Sequence, residues 1–180
     1  MTRRLLLCLL LLVAAPLAQA EDAWVLVDTQ GQRVHVYKGK ERIARFPNIA
    51  IGRNGAALTR LRGDNTTPLG TFRISRINRE SRFHIFLELD YPTLPHAKRA
   101  LKAGLIDRDA YQTVLDSRLR YGRAPQNTLL GGQIGLHGIG AGDPLIHRRF
   151  NWTEGCVALT NDEIEKLASL VKVGTRVIIR

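Results

Sequence analysis

The stretch that decides the fold runs from Ile134-Gly135-Leu136-His137-Gly138 to Thr153-Glu154-Gly155-Cys156-Val157-Ala158-Leu159-Thr160-Asn161-Asp162-Glu163. The short apolar run Ile134 to Leu136 ends in His137-Gly138 and reads as a strand. Residues 139–152 make a polar excursion containing glycine and arginine. The chain returns through Gly155 to a second apolar run that starts at Val157. Thr160-Asn161-Asp162-Glu163 is a capping box, and Leu159 against Ile164 forms a hydrophobic staple. Ile164, Leu167, Ala168 and Val171 then mark one face of a helix. Gly174 stops that helix, and Thr175 to Ile179 reads as a last strand.

Upstream, short strands alternate with turn chemistry. Trp24 to Val27 and Val34 to Tyr37 are apolar and β-rich, with Asp28-Thr29-Gln30-Gly31 and Lys38-Gly39-Lys40 as turns. Arg42 to Ile51 reads as a third strand, broken at Pro47 and ended by Gly52. Thr71 to Ile77 alternates, with Phe72, Ile74 and Ile77 facing inward, and Phe83 to Leu89 is a further strand. The middle is helical, over Ala97 to Ala103 and Asp107 to Tyr121. In the second helix Tyr111, Val114, Leu115 and Leu119 fall at helical spacing, Asp107 or Asp109 caps the start and Gly122 ends it. Residues 123–133, rich in Gly, Pro, Asn and Gln, form a loop. Many short strands with a few helices predict one α+β or mainly-β domain built on a mixed sheet.

Residues 1–20 carry the marks of an export signal. Arg3 and Arg4 give a basic start, Leu5 to Val13 an apolar run broken only by Cys8, and Ala18-Gln19-Ala20 a small-residue cleavage site. The run falls short of the roughly 20 residues that cross a bilayer, so a cleavable signal is expected rather than an anchor. The domain is therefore expected over 21–180, working outside the cytoplasm in the periplasm. It would be peripheral to the envelope, with no membrane span after processing. The chain has 27 Lys and Arg against 16 Asp and Glu; without Arg3 and Arg4 the excess is +9. Such a charge favours anionic partners. Nucleic acid is not expected among them, because export separates the chain from it and no basic–aromatic interleaving is present.

Processing would leave Cys156 as the sole cysteine, in an oxidising compartment and without a disulfide partner. A structural thiol and a reactive one both fit that count. A cysteine nucleophile needs a base to raise its thiolate fraction and backbone donors for the oxyanion. His137 lies 19 residues before Cys156, and each adjoins a glycine. Gly155 has no Cβ to obstruct an approaching substrate. His35, His84, His96 and His147 lack paired metal spacing and read as surface or strand residues. Asp64 and Asp143 fall in loops with no evident partner.

His137-Gly138, a spacer, and Thr153-Glu154-Gly155-Cys156-Val157 resemble the signature of the L,D-transpeptidase (YkuD-type) catalytic domain. Thr67-Pro68-Leu69-Gly70-Thr71-Phe72 is similar to the family's upstream segment, and the resemblance spans roughly residues 23–180. It implies a peptidoglycan L,D-transpeptidase that forms a cysteine thioester on stem peptides at the L-centre of meso-diaminopimelate. Cys156 would be the nucleophile and His137 the proton acceptor and donor. The Gly138 carbonyl would orient the imidazole, and the amides of Gly155 and Cys156 would form the oxyanion hole. Thr153 would shape the turn, with Trp152, Arg148 and Arg149 as substrate contacts. No metal and no organic cofactor is implied.

Two positions depart from the common pattern: Ala158 stands where Arg or Asn is frequent, and Glu154 where His is frequent. Asn151 to Asn161 resembles the branch that carries Trp-Thr-x-Gly-Cys-apolar-Ala. Some members of that branch hydrolyse the bond as carboxypeptidases or endopeptidases instead of crosslinking. A non-catalytic wall-binding module is a further alternative, although a binder needs neither Cys156 nor His137. A redox protein is disfavoured because no Cys-x-x-Cys pair is present.

Overall fold

The computed structural model describes residues 22–180. The expected export segment, residues 1–20, lies outside them. Among the described residues there are ten strands: β1 (Ala23–Asp28), β2 (Arg33–Lys38), β3 (Glu41–Pro47), β4 (Ala56–Ala57), β5 (Thr67–Pro68), β6 (Gly70–Ser81), β7 (His84–Leu89), β8 (Gly135–Gly138), β9 (Val157–Leu159) and β10 (Arg176–Ile179). The helices are α1 (Leu94–Lys102), α2 (Arg108–Tyr121), α3 (Pro144–Arg149) and α4 (Asn161–Leu170).

Eight strands form one mixed sheet in the order β3-β2-β1-β10-β6-β7-β8-β9, and β4 pairs with β5 outside it. Within the large sheet β1–β10 and β8–β9 are parallel and the other pairs antiparallel. The expected α+β domain on a mixed sheet is therefore the observed one. Alternation buries Val25, Val27, Val34, Val36, Phe72, Ile74, Leu87, Leu89, Val177 and Ile179 in a common core. Each such side chain contributes roughly 1.5–3 kcal/mol of burial free energy. α4 adds Ile164, Leu167 and Ala168, and its Thr160–Glu163 capping box is formed at both ends.

Several expectations need correction. α1 begins at Leu94, three residues before the expected start, with Thr93 as its N-cap and a proline in the first turn. α2 has the expected Asp107 cap and a left-handed Gly122, but only Val114 is fully buried and Leu119 is 75% exposed. Tyr111 and Leu115 are only half-buried, so the helix covers less of its apolar face than the spacing predicts. β3 stops at Pro47, and beyond it the backbone pairs with the sheet through isolated bridges such as Ala50 to Ala158, while Ile49 and Ile51 pack into the core. β6 runs on to Ser81 with a register shift between Ile74 and Arg76. That bulge inserts one residue, so Ile77 returns to the core face and packs there although it breaks the alternation. His96 and His147 are buried on helices instead of standing on strands or the surface. His96 is satisfied there, its Nδ1 2.6 Å from Thr93 Oγ1 and its Nε2 3.0 Å from the Leu69 carbonyl.

Candidate active site

β8 and β9 run parallel with Leu136 opposite Val157 and His137 opposite Ala158. Leu136, Val157 and Leu159 point into the core. Strand alternation therefore turns His137 to the other face, the same one as Cys156, two residues before Ala158. His137 and Cys156 both line a cleft of about 1220 Å³ on that face.

The imidazole is held on several sides. Its Nδ1 lies 2.7 Å from the Gly138 carbonyl. A carbonyl only accepts, so Nδ1 carries the proton and Nε2 is the free lone pair. The Phe83 ring packs at 4.3 Å between centroids, and Trp152 stands edge-on at 5.8 Å. Gly138 has to be glycine: a Cβ there would come 2.6 Å from Asn161 Oδ1 and 2.7 Å from the Phe83 carbonyl. Asn161 in turn clamps the following turn, with Oδ1 accepting from the Gly140 amide and Nδ2 donating to its carbonyl, both at 2.9 Å. Asn161 reads in sequence only as part of the cap of α4, so this second role shows up in three dimensions alone.

Thr153 pins the turn that presents Cys156. Its hydroxyl donates to the Cys156 carbonyl at 2.6 Å and accepts from the Gly155 amide at 3.1 Å. This amends the expected oxyanion hole, because the Gly155 amide is already engaged and the Cys156 amide is the other expected donor. Gly155 adopts φ +130°, a conformation that favours glycine. The half-buried Cys156 thiol donates to the Gln133 carbonyl at 3.4 Å. Thr153→Val is expected to lower stability by about 2 kcal/mol, by stranding a buried amide. The same change loosens the Cys156 turn and slows acylation by about 100-fold. Thermal denaturation and single-turnover acylation check the two effects separately.

Six arginines line the cleft, against the two acidic side chains Glu88 and Glu154. Trp152 and Thr153 also line it. Arg148 and Arg149 do not. They are exposed on α3, a short helix inside the 139–152 excursion started by Asp143, whose carboxylate accepts from the Leu145 amide. The arginine the sequence missed is Arg60, buried beside Gly155. Asp64, without an evident partner in sequence, accepts from the Leu61 and Thr66 amides and lies 3.6 Å from Arg60. Among the described residues no group of three or more metal-ligating side chains converges.

The family model of the L,D-transpeptidase catalytic domain (YkuD) matches residues 22–179. The chain belongs to that family. No protein of curated function matches the sequence. Among solved structures, the L,D-transpeptidase-type sheet recurs in Pgp2, a helical cell shape determining protein from Campylobacter jejuni. The identity is 22%, covering 90% of this chain and 49% of that one, with a TM-score of 0.57. Bd1075 from Bdellovibrio bacteriovorus is also 22% identical, covering 89% and 48%, at 0.54. An L,D-transpeptidase from Xylanimonas cellulosilytica is 14% identical, covering 91% and 62%, at 0.51. At these identities the likeness shows the fold, and the chain spans about half the length of the first two structures.

Burial sets the charge states within this L,D-transpeptidase domain. Desolvation lowers the His137 pKa to about 4, against a partial upward pull from the Gly138 carbonyl. His147 and Arg82 push it further down. Burial also raises the Cys156 thiol to about 11, with a backbone contact from Gly135 and the charge of Arg60 pulling the other way. At neutral pH the pair is thus an uncharged thiol and an uncharged imidazole. The same depression bears on stability. Between about pH 6.5 and pH 4 the unfolded chain protonates His137 and the folded one does not. Stability present above pH 6.5 is therefore lost as pH falls through that window, by about 3 kcal/mol for His137 alone. Burial also lowers His96 and His147, which adds in the same direction. Urea denaturation at pH 7 and pH 4.5 measures the loss.

Proposed function

We propose that this domain is an extracytoplasmic cysteine acyltransferase acting on peptidoglycan stem peptides, with transfer to an amine as its primary reaction. The observation that carries the reading is the shared face of Cys156 and His137 in one arginine-rich cleft, with the imidazole tautomer fixed by Gly138. In the first step Cys156 Sγ attacks the carbonyl at the L-centre of diaminopimelate and His137 Nε2 takes the thiol proton. The peptide C–N bond then breaks, and His137 returns the proton to the leaving amine. An acceptor amine next attacks the thioester, gives its proton to His137, and releases the sulfur as a thiol.

Because both groups are neutral at rest, proton transfer has to accompany attack. Burial favours the neutral imidazole and the neutral thiol over an ion pair between them. Filling the cleft changes this balance, since developing negative charge near Arg60 and the other cleft arginines is stabilised in a site shielded from water. A periplasmic location, delivery by residues 1–20 and association with the envelope surface belong to the same proposal. No helix among the described residues is long and apolar enough to cross a membrane.

The second reading is hydrolysis at the same bond. Ala158 in place of a larger polar residue, and the Trp152-Thr153 pair at the cleft, favour it. Muropeptides digested from cells with and without the protein separate the two. New crosslinks between two diaminopimelate residues mean transfer, and shortened stems mean hydrolysis. Neither change would refute both.

A further inference from the structure

Arg60 stands out among the charged side chains of the described residues. Its side chain is only 5% exposed, yet Nε and Nη1 are buried without any hydrogen-bond acceptor. The nearest carboxylate, Asp64, stands 3.6 Å from Nε, beyond hydrogen-bond length. The Asp64 oxygens already accept from the Leu61 and Thr66 amides and the Thr66 hydroxyl. Buried guanidinium donors without partners are costly, and folded chains rarely leave them so. The surroundings make room for this one. A Cβ on Gly155 would fall 2.2 Å from Nη1, and one on Gly131 would fall 3.7 Å from Nη2. Tyr91 lies beneath, its ring centroid 6.0 Å from the guanidinium carbon. Arg60 lines the cleft together with Cys156 and His137.

We infer that Arg60 is a carboxylate-receiving subsite, whose free donors pair with an anionic group of the donor peptide and so place its reacting carbonyl over Cys156. This rests on the stem-peptide reading above. A planar guanidinium with its donors in a fixed fork matches a carboxylate, and a peptide carbonyl accepts more weakly. Two carboxylates of a tetrapeptide stem flank the bond attacked: the one on the leaving residue and the one at the D-centre of diaminopimelate. Their chemistry is the same, and the test separates them. The exposed Arg148 and Arg149 have no such vacancy, and the cleft's Arg76 is already bound to Glu88 at 2.7 Å.

The experiment titrates three synthetic tetrapeptide stems into the Cys156→Ala chain by calorimetry. One has every carboxylate free, one carries an amide on the terminal residue, and one an amide at the D-centre. One of the amides is expected to bind roughly 10- to 100-fold more weakly, which identifies the source. Adding Arg60→Met should weaken the free acid to the level of that amide and leave the amide unchanged. Arg60→Lys should retain part of the discrimination. If Arg60→Met fails to melt cooperatively, Arg60→Lys and the three peptides on the Arg60-containing chain decide. The inference is overturned if neither amide weakens binding, or if Arg60→Met weakens acid and amide equally. In either case a thioester formed by the unmodified chain would leave the enzymatic reading standing. Failure of all three peptides to bind, with no thioester on the unmodified chain, removes both.

Discussion

Cys156→Ala is expected to remove turnover altogether, a loss of about 10,000-fold or more, while the melting temperature stays within a degree or two of the parent. The asymmetry follows from where the sulfur sits. Cys156 is half-buried at the cleft, and its thiol donates only a long hydrogen bond, 3.4 Å, to the Gln133 carbonyl. The turn around it is held by Thr153 and by the backbone, which alanine preserves. A structural cysteine would give the reverse pattern, with stability lost and activity partly kept. Cys156→Ser tests the same point more finely. The hydroxyl fits the space, but its far higher pKa leaves it unreactive toward an imidazole near 4.

His137→Gln is expected to slow acylation by about 100- to 10,000-fold, the range that a positioned general base supplies. Its signature lies in the pH profile. In the unmodified domain acylation should hold steady from neutrality down to about pH 5, then fall as the imidazole protonates near 4 and can no longer accept the thiol proton. The sign follows from burial, which favours the neutral, basic form over most of the acid range. The glutamine variant should lack that acid limb. A limb that persists in His137→Gln belongs to another group. Stopped-flow acylation between pH 3.5 and 8, at pH values where the fold is intact by circular dichroism, separates the two. Glutamine is preferred over alanine because His137 fills space between Phe83 and Trp152, and a void there would shift both rings.

The features most legible in the sequence were local ones. The Thr160–Glu163 box, the Asp107 cap and the Gly122 stop each depend on groups within a few residues, and all three formed as read. The face shared by His137 and Cys156 also follows once two strands flank the 139–152 excursion, because strand period fixes which residues point together. What went unread depends on distant partners. Arg60 and Gly155 are neighbours only after the chain from β3 to β6 folds under the Cys156 turn. Arg148 and Arg149 were expected as substrate contacts, but Asp143 and Pro144 start α3 and carry them to solvent. The Asp-Pro pair signalled that helix. Leu119 shows the same limit from the apolar side, since helical spacing names a face without saying what covers it.

Mass spectrometry of the intact purified protein, after exposure to muropeptides and acid quenching, reaches the chemistry at its source. A gain equal to the acyl portion of the stem, carried on residue 156 and missing from Cys156→Ala, is the predicted result. Turnover of the same muropeptides by the Cys156→Ala chain, or an acyl group found on any other side chain, would contradict it.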